Sequence, residues 1–477
     1  MAVQGPGPWR LSGAVPLGTT SLATIVLSHA PGRPAINSLT YGALTDRVRR
    51  VAAGMMDAGV GPGDRVAVLA LNDPDTLALL LACSAIGAML APLNWRLAVP
   101  ELQWMVADLA PRLIWLDRAH AHLAAALGPA CVTELPEADG PLPPGDDAAP
   151  LLLIYTSGTT GRPKGAVLTG RAVRANAALS WDMHAMTAAD HVLTVLPLFH
   201  VGGLNIQTTP ALLLGARVSL HARFDAGATL AAIAADRPTL TVLVPATLQA
   251  MLDHPAWPGT DFGSLRAIAT GSTFVPDAVV APFRARGVPV LEVYGATETC
   301  PIAIYQRLGE PLTGPGAGTG SGTGIGRPGP GVEARSDAGE ILLRGPQLFA
   351  GYWRQPPLGD DWFRTGDLGA AAADGSWTVH DRLKHLIVSG GENVYPAEIE
   401  RVLCAHPAIR AAAVVGMPDP RWQEVPVAYV ELRTHADTAE ILAWVRTQLA
   451  PFKVPRAVHV VEALPRNAMG KVRRELL

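Results

Sequence analysis

The sequence predicts an α/β protein with a large N-terminal domain of parallel-rich sheets flanked by helices and a small α+β C-terminal domain. Three observations carry this. Short apolar runs of strand character alternate with Ala-rich helical stretches, as in RVAVLAL (65–71) followed by TLALLLACSAIGAM (76–89). The chain has 477 residues, too many for one ordinary core of roughly 100–200 residues. A fresh βα-type pattern then begins at Asp381, dividing the chain into 1–380 and 381–477.

Each element has a local cause. Asn72-Asp73-Pro74-Asp75 reads as an N-cap, a proline at the first helical position and an acidic first turn. The apolar run Leu77–Leu93 behind it contains Ser84, Gly87 and Pro92, and predicts a buried helix rather than a membrane span. A Pro- and acid-rich connection at 136–150 leads into a strand at Leu151–Tyr155. TLTVLVPA (239–246), LRAIATG (265–271) and VPVLEVYG (288–295) read as further strands bounded by Gly or Pro. Between Gly314 and Gly331 glycine is too dense for a regular element. Gly324, Gly326 and Gly329 match a GxGxxG spacing, but Pro328 interrupts it and no helix opens afterwards, so a flexible loop is expected, not a dinucleotide fingerprint.

Composition excludes several classes. At 49% hydrophobic and 17% charged residues the chain is no disordered protein. A formal charge of −3 gives no footprint for nucleic acid, whose binding neutralises many phosphates. Cys83, Cys131, Cys300 and Cys404 form no CxxC pair and no HExxH occurs, so neither a disulfide framework nor a zinc site is expected; a reducing cytoplasm is. No basic-then-apolar segment at the N-terminus reads as a signal peptide, and no membrane span is expected.

The chemistry concentrates in a few strings. Tyr155-Thr-Ser-Gly-Thr-Thr-Gly-Arg-Pro-Lys-Gly165 follows directly on an apolar strand. Small residues let backbone N–H groups converge, and hydroxyls and Lys164 add donors, an arrangement that suits a polyphosphate. It is not a Walker A loop, because Gly165 rather than Ser or Thr follows the lysine. This string resembles the signature of the adenylate-forming (AMP-binding) superfamily of acyl-CoA synthetases, peptide-synthetase adenylation domains and luciferases. PLFHVGG (197–203), VYGATE (293–298), RTGDL (364–368), DRLKHLIVSGGENVYPAEIE (381–400) and PRNAMGK (465–471) match in the family's order. Together they reach from 155 to 471, and the fatty or aromatic acid–CoA ligases are the type they look like.

The resemblance implies ATP, Mg2+ and coenzyme A as cofactor, ion and co-substrate, with a carboxylic acid joined first to AMP and then to a thiol. Thr156, Ser157, Gly158, Thr159, Thr160, Gly161 and Lys164 would serve the phosphates. Gly271, Ser272, Thr273 and Gly295 would line the nucleotide, with Tyr294 stacked on adenine. Asp367 would accept from both ribose hydroxyls, a two-acceptor task that suits a carboxylate, and Arg382 would add a second ribose contact. Glu298 matches the magnesium ligand, Thr297 a phosphate-contacting hydroxyl, and Lys471 the mobile lysine that bridges carboxylate and phosphate. The small C-terminal domain is implied to be mobile, with its hinge near Lys384 and Ser389, Gly390 and Gly391 lining the CoA tunnel. The glycines at 158–165, 271, 295 and 390–391 are thus expected where nucleotide, acid or thiol comes close.

His200 matches a residue between acid pocket and thiol tunnel, and Val201, Gly203, Ala296, Cys300 and Ile302 would complete an uncharged acid pocket. No acid stands near His200 to pair a substrate ammonium, and no arginine stands out at 200–205 or 295–302 to hold a second carboxylate. An apolar monocarboxylic acid, a medium- or long-chain fatty acid or an aromatic one, is therefore expected. Alternatives are an acyl-AMP ligase loading a carrier protein, a malonate-type dicarboxylate–CoA ligase with a similar PRNxMGK-like ending, and a nucleotide-binding pseudoenzyme. The presence of Lys471, Glu298 and Asp367 argues against the last. Asn467 stands where many relatives carry Thr, and a homodimer is left open.

Overall fold

In the computed structural model the described residues are 20–156, 163–271, 275–310, 324–359, 361–389, 392–467 and 471–477; the side chains of Lys384 and Asn393 also lie outside the description. The apolar run after Asn72 divides at a glycine. The Asp73 carboxylate accepts from the Asp75 amide at 2.8 Å and Pro74 takes the first helical position, so a helix starts here and runs Pro74–Ile86. Gly87 ends it in the left-handed region, at φ 83°, and the remainder of the run becomes a strand, Met89–Pro92. Every residue from Thr76 to Ile86 is buried, because the helix packs against Leu22–Leu27 and Tyr41–Asp57 inside the core. Among the described residues no helix is long and apolar enough to cross a membrane.

Two sheets make up the large domain. The first is built on Met89–Pro92, Arg65–Leu69, Leu113–Leu116 and Cys131–Val132, all parallel, with Pro150–Thr156 parallel to Met89–Pro92. Pro150–Thr156 then pairs antiparallel with Lys164–Thr169, so the Thr/Ser/Gly string falls between these two strands in the sequence. The second has a parallel centre of Arg217–Leu220, His191–Thr194, Leu240–Val242, Ala267–Gly271 and Val290–Tyr294. An antiparallel extension follows, through Ile304–Tyr305, Gly324–Pro328, Trp377–Arg382, Phe363–Ala371, Glu340–Arg344 and Glu333–Asp337. One hydrophobic cluster joins the two sheets, taking in Val66, Leu80, Leu152, Val192, Val218 and Leu240.

The glycine-rich segment departs from its expectation. Residues 314–323 lie outside the described residues, but Gly324–Pro328 is a strand between Ile304–Tyr305 and Trp377–Arg382, not part of a loop. Glycine density argues against strands in general; here it is what lets this one pass. Gly326 has φ 97°, at an irregularity in the ladder, and a Cβ there would lie 1.9 Å from the Tyr305 carbonyl oxygen.

The small α+β domain is built on the hairpin Ile409–Asp419 and Gln423–Leu432, with Ala457–Val460 parallel to the second strand and the short pair Ile387–Ser389 and Glu392–Val394 beside it. Helices Pro396–Cys404 and Thr438–Gln448 cover it through Ile399, Leu403, Ile441 and Val445. Asp381 and Arg382 still belong to the large sheet, paired with Leu368 and Asp367. A single 3-10 turn, Leu383–His385, separates that sheet from the first strand of the small one.

One strand that leads into the site carries a buried acid. Glu292 is 5% exposed, and burial pushes its carboxyl up to about 7, against the pull of Arg284. The folded chain therefore holds this proton more tightly than the unfolded chain, whose carboxyl releases it near 4.5. Stability falls as pH rises through that window, because the folded state must ionise a desolvated group. Glu292→Gln is expected to stabilise the protein by up to about 3 kcal/mol at pH 8, with the gain vanishing below pH ~4.5. Denaturant unfolding of both proteins at the two pH values reads the difference; an equal gain at both would contradict the assignment.

Candidate active site

The site residues gather where parallel strands end. Gly271 closes Ala267–Gly271, Tyr294 closes Val290–Tyr294, and His191–Thr194 runs out into Leu196–His200. The carboxyl ends of parallel strands are the usual place for a ligand in such sheets, because loops there diverge and leave a crevice. Gly271 and Gly295 turn out to be required by the protein itself. A Cβ at Gly271 would lie 2.3 Å from the Val293 carbonyl oxygen, and one at Gly295 would lie 1.8 Å from that of Pro301. The close approach expected to a ligand is met here by neighbouring backbone.

Asp367 is the centre of the first group. It sits in Phe363–Ala371 with 6% exposure. The Tyr294 hydroxyl donates to its Oδ2 at 2.9 Å, and Arg382 Nε lies 2.8 Å from its Oδ1. The pairing of Asp367 with Arg382 across the sheet explains the second contact. Burial raises the Asp367 carboxyl above its ordinary range, while Arg382, Tyr294 and Lys471 pull it down. Burial likewise pushes the Tyr294 hydroxyl well above its ordinary value, with the Asp367 charge adding to the effect, so it remains a donor.

Glu298 is the centre of the second. It lies buried in the 3-10 turn Thr297–Thr299, with Thr297 partly exposed beside it. The Tyr352 hydroxyl donates to Glu298 Oε1 at 2.7 Å, and the Phe349 amide donates to the Glu298 carbonyl. Lys164 Nζ stands 5.3 Å from the centroid of the same Tyr352 ring. The strand-end lysine and the carboxylate thus both meet Tyr352, the one at its ring and the other at its hydroxyl. Thr156 pairs with Lys164 at the mouth of the hairpin, its hydroxyl donating to the Lys164 carbonyl.

His200 begins the third group. Its Nε2 is buried without a hydrogen-bond partner, and its ring lies tilted at 59° to that of Phe199, with centroids 4.5 Å apart. Burial, then the charges of Lys471 and Arg96, push it down to about 3, so at neutral pH it is an uncharged imidazole. Val201 and Gly203 follow in a short helical turn, which passes into a π-helical stretch, Leu204–Thr208. Cys300 and Ile302 are fully buried and Ala296 is partly exposed. The Ile302 amide donates to Asn176 Oδ1, and Asn205 Nδ2 lies 3.5 Å from Cys300 Sγ. Burial raises the Cys300 thiol, which makes it a packing group rather than a nucleophile.

Lys471 comes from the far end of the chain yet lies within electrostatic reach of both His200 and Asp367. Its amide donates to Asn467 Oδ1 and its carbonyl accepts from the Asn467 amide, so Asn467 holds both backbone groups of Lys471. Ser389 is buried and pairs with Glu392 and Gln423. Ser157, Gly158, Thr159, Thr160, Gly161, Ser272, Thr273, Gly390 and Gly391 lie outside the described residues, as does the side chain of Lys384. Tyr352, Arg96 and the π-helical stretch are additions that sequence reasoning missed. Tyr352 and Arg96 act on Glu298 and His200 from segments distant in sequence, and no local pattern announces that.

Residues 24–353 match the family described as AMP-binding enzyme, and 398–471 match the AMP-binding enzyme C-terminal domain. An indoleacetate–CoA ligase of Aromatoleum aromaticum is 43% identical over 93% of this chain and 94% of its own. A feruloyl-CoA synthase of an Amycolatopsis species is 40% identical over 91% of this chain and 92% of its own. The solved structure of ATP-bound MatB from Rhodopseudomonas palustris superposes with a TM-score of 0.86 at 29% identity, covering 96% of this chain and 97% of that one. The chain belongs to the AMP-binding enzyme family, and it aligns with acid–CoA ligases along nearly its whole length.

Proposed function

We propose that the protein is an ATP-dependent carboxylic acid–CoA ligase for an apolar, aromatic monocarboxylic acid. It forms an acyl-adenylate with release of pyrophosphate and then passes the acyl group to coenzyme A. The observation that carries this reading is the buried Asp367 carboxylate held by Tyr294 and Arg382, in a chain that aligns with acid–CoA ligases along nearly its whole length. The charge of Lys471, acting on both His200 and Asp367, is consistent with a cation between the acid pocket and the proposed ribose carboxylate. The uncharged Val201, Gly203, Ala296, Cys300 and Ile302, and the indoleacetate and feruloyl groups named in the relatives, support an aromatic acid.

Each group then has a task. Asp367, desolvated and oriented by Tyr294 and Arg382, receives the ribose hydroxyls. Thr156, Lys164 and the string between them hold the phosphates, with Ser272, Thr273 and Thr297 adding contacts. Lys471 bridges carboxylate and α-phosphate, two anions that repel until a cation lies between them. Among the described residues no group of three or more His, Cys, Asp or Glu could hold a metal ion. Glu298, with one oxygen committed to Tyr352, fits a magnesium ion carried mainly by phosphate oxygens and water, and that ion when bound neutralises charge on the phosphates.

The second half-reaction needs Lys471 to withdraw so that a thiol reaches the same carbonyl. We take the large and small domains, expected from the sequence at 1–380 and 381–477, as the two moving parts, with Asp381 and Arg382 remaining on the large sheet and the hinge in the turn around Lys384. Rotation there brings Ser389, Gly390 and Gly391 to the thiol's path.

Mixing the protein with ATP, Mg2+ and a panel of fatty and aromatic acids, then adding coenzyme A, tests the reaction. Acid-dependent pyrophosphate release followed by thioester is expected; release without thioester would point to a carrier protein, and no release with any acid would refute the ligase reading. Lys471→Ala is expected to slow adenylate formation by roughly 10²–10³-fold while still making thioester from preformed acyl-adenylate. Equal loss in both half-reactions would contradict the alternation of domains.

A further inference from the structure

A buried relay behind the acid pocket ends in an acceptor with nothing to accept. His184 Nδ1 lies 2.8 Å from the Ser180 carbonyl oxygen, which can only accept, so Nδ1 carries the proton. Burial pushes this imidazole down to about 4, so it is neutral and its Nε2 is a bare acceptor. Gln207 Nε2 lies 3.0 Å from that Nε2. The amide group of Gln207 must therefore turn its NH2 to His184, since its oxygen would face a lone pair. This fixes Gln207 Oε1 on the opposite side.

Gln207 is 1% exposed and its Oε1 has no partner. The side chain lines a cavity of about 10 Å³, space for one water or the tip of a ligand, shared with Gly203, Leu196, Thr208 and Val242. The neighbouring hydroxyls do not supply the missing donor. Thr208 Oγ1 donates to the Gly203 carbonyl, and Thr194 Oγ1 is paired with Thr208 Oγ1. A buried carbonyl oxygen left without a donor is costly, and such exceptions call for a ligand or water. Gly203 belongs to the proposed acid pocket, and the π-helical stretch that follows it, Leu204–Thr208, carries Gln207 to the same cavity.

We infer that Gln207 Oε1 is a specificity-determining acceptor for a hydrogen-bond donor on the acid, a ring N–H or phenolic O–H remote from its carboxylate. This deepens the ligase reading and rests on it. Because His184 prevents the amide from flipping, Gln207 cannot present its NH2 instead, so an acid carrying an acceptor or an apolar atom at that place leaves the oxygen unpaired. The site would then separate acids of equal shape by one proton.

The test compares matched acids on the full-length protein, reading kcat/KM for acid-dependent pyrophosphate release. Indole-3-acetate is set against benzofuran-3-acetate, and 4-hydroxycinnamate against cinnamate, which distinguishes a ring N–H from a phenolic donor. The expected result is a preference of roughly 10- to 100-fold for the donor-bearing member of at least one pair. In Gln207→Leu that preference falls to near unity. Gln207→Met, straight-chained like the original, serves if the Leu variant does not fold. Equal rates within both pairs on the unmodified protein, or a preference that survives loss of the amide, would overturn the inference and leave the ligase reading standing. Absence of release with every acid would refute both.

Discussion

The Asp367 carboxylate, held between Tyr294 and Arg382, is the contact on which the rest of the site depends. It joins three strands: Val290–Tyr294, Phe363–Ala371 and Trp377–Arg382. A carboxylate this buried is tolerated only with partners that offset its lost hydration, and removal of one leaves an uncompensated charge. Arg382 is also the last residue of the large sheet before the turn that leads to the small domain. In the proposed reading the residue that steadies the ribose carboxylate is also the one that precedes the hinge turn, so one ion pair would couple nucleotide binding to domain position.

The electrostatics around it are uneven, and the net charge of −3 conceals this. Burial keeps His200 neutral and raises the Cys300 thiol, so these two groups of the acid side carry no charge at neutral pH. Cations surround them: Arg96 and Lys471 act on His200, Lys164 stands over the Tyr352 ring, and Arg382 pairs with Asp367. Such placement favours an uncharged acid body and a charged reacting end.

Much of this was legible in the chain. The Asp73-Pro74 start, the strand before the Thr/Ser/Gly string and the site positions at strand ends all follow from local rules of capping, patterning and motif order. What was not legible depends on distant pairing. Gly324–Pro328 looks like loop because glycine weakens strands, yet Gly326 is what lets that strand pass Tyr305. The Tyr352–Glu298 bond exists because Gly351–Tyr352 pairs with Lys164–Thr169. The orientation of the Gln207 amide follows from a histidine tautomer, which no spacing encodes.

The central claim is that the observed arrangement is the adenylating one and that acyl transfer requires leaving it. Arg410 of the small domain lies 3.3 Å from Asp253 of the large one, and both are half exposed. Asp253→Cys with Arg410→Cys, bridged by a short cleavable bis-thiol reagent, would hold the domains as they are; each single-cysteine variant controls for Cys131 and Cys404. The account predicts one burst of acid-dependent pyrophosphate release from the bridged protein and no thioester until the bridge is cleaved. Thioester formed by the bridged protein at the unbridged rate would contradict it.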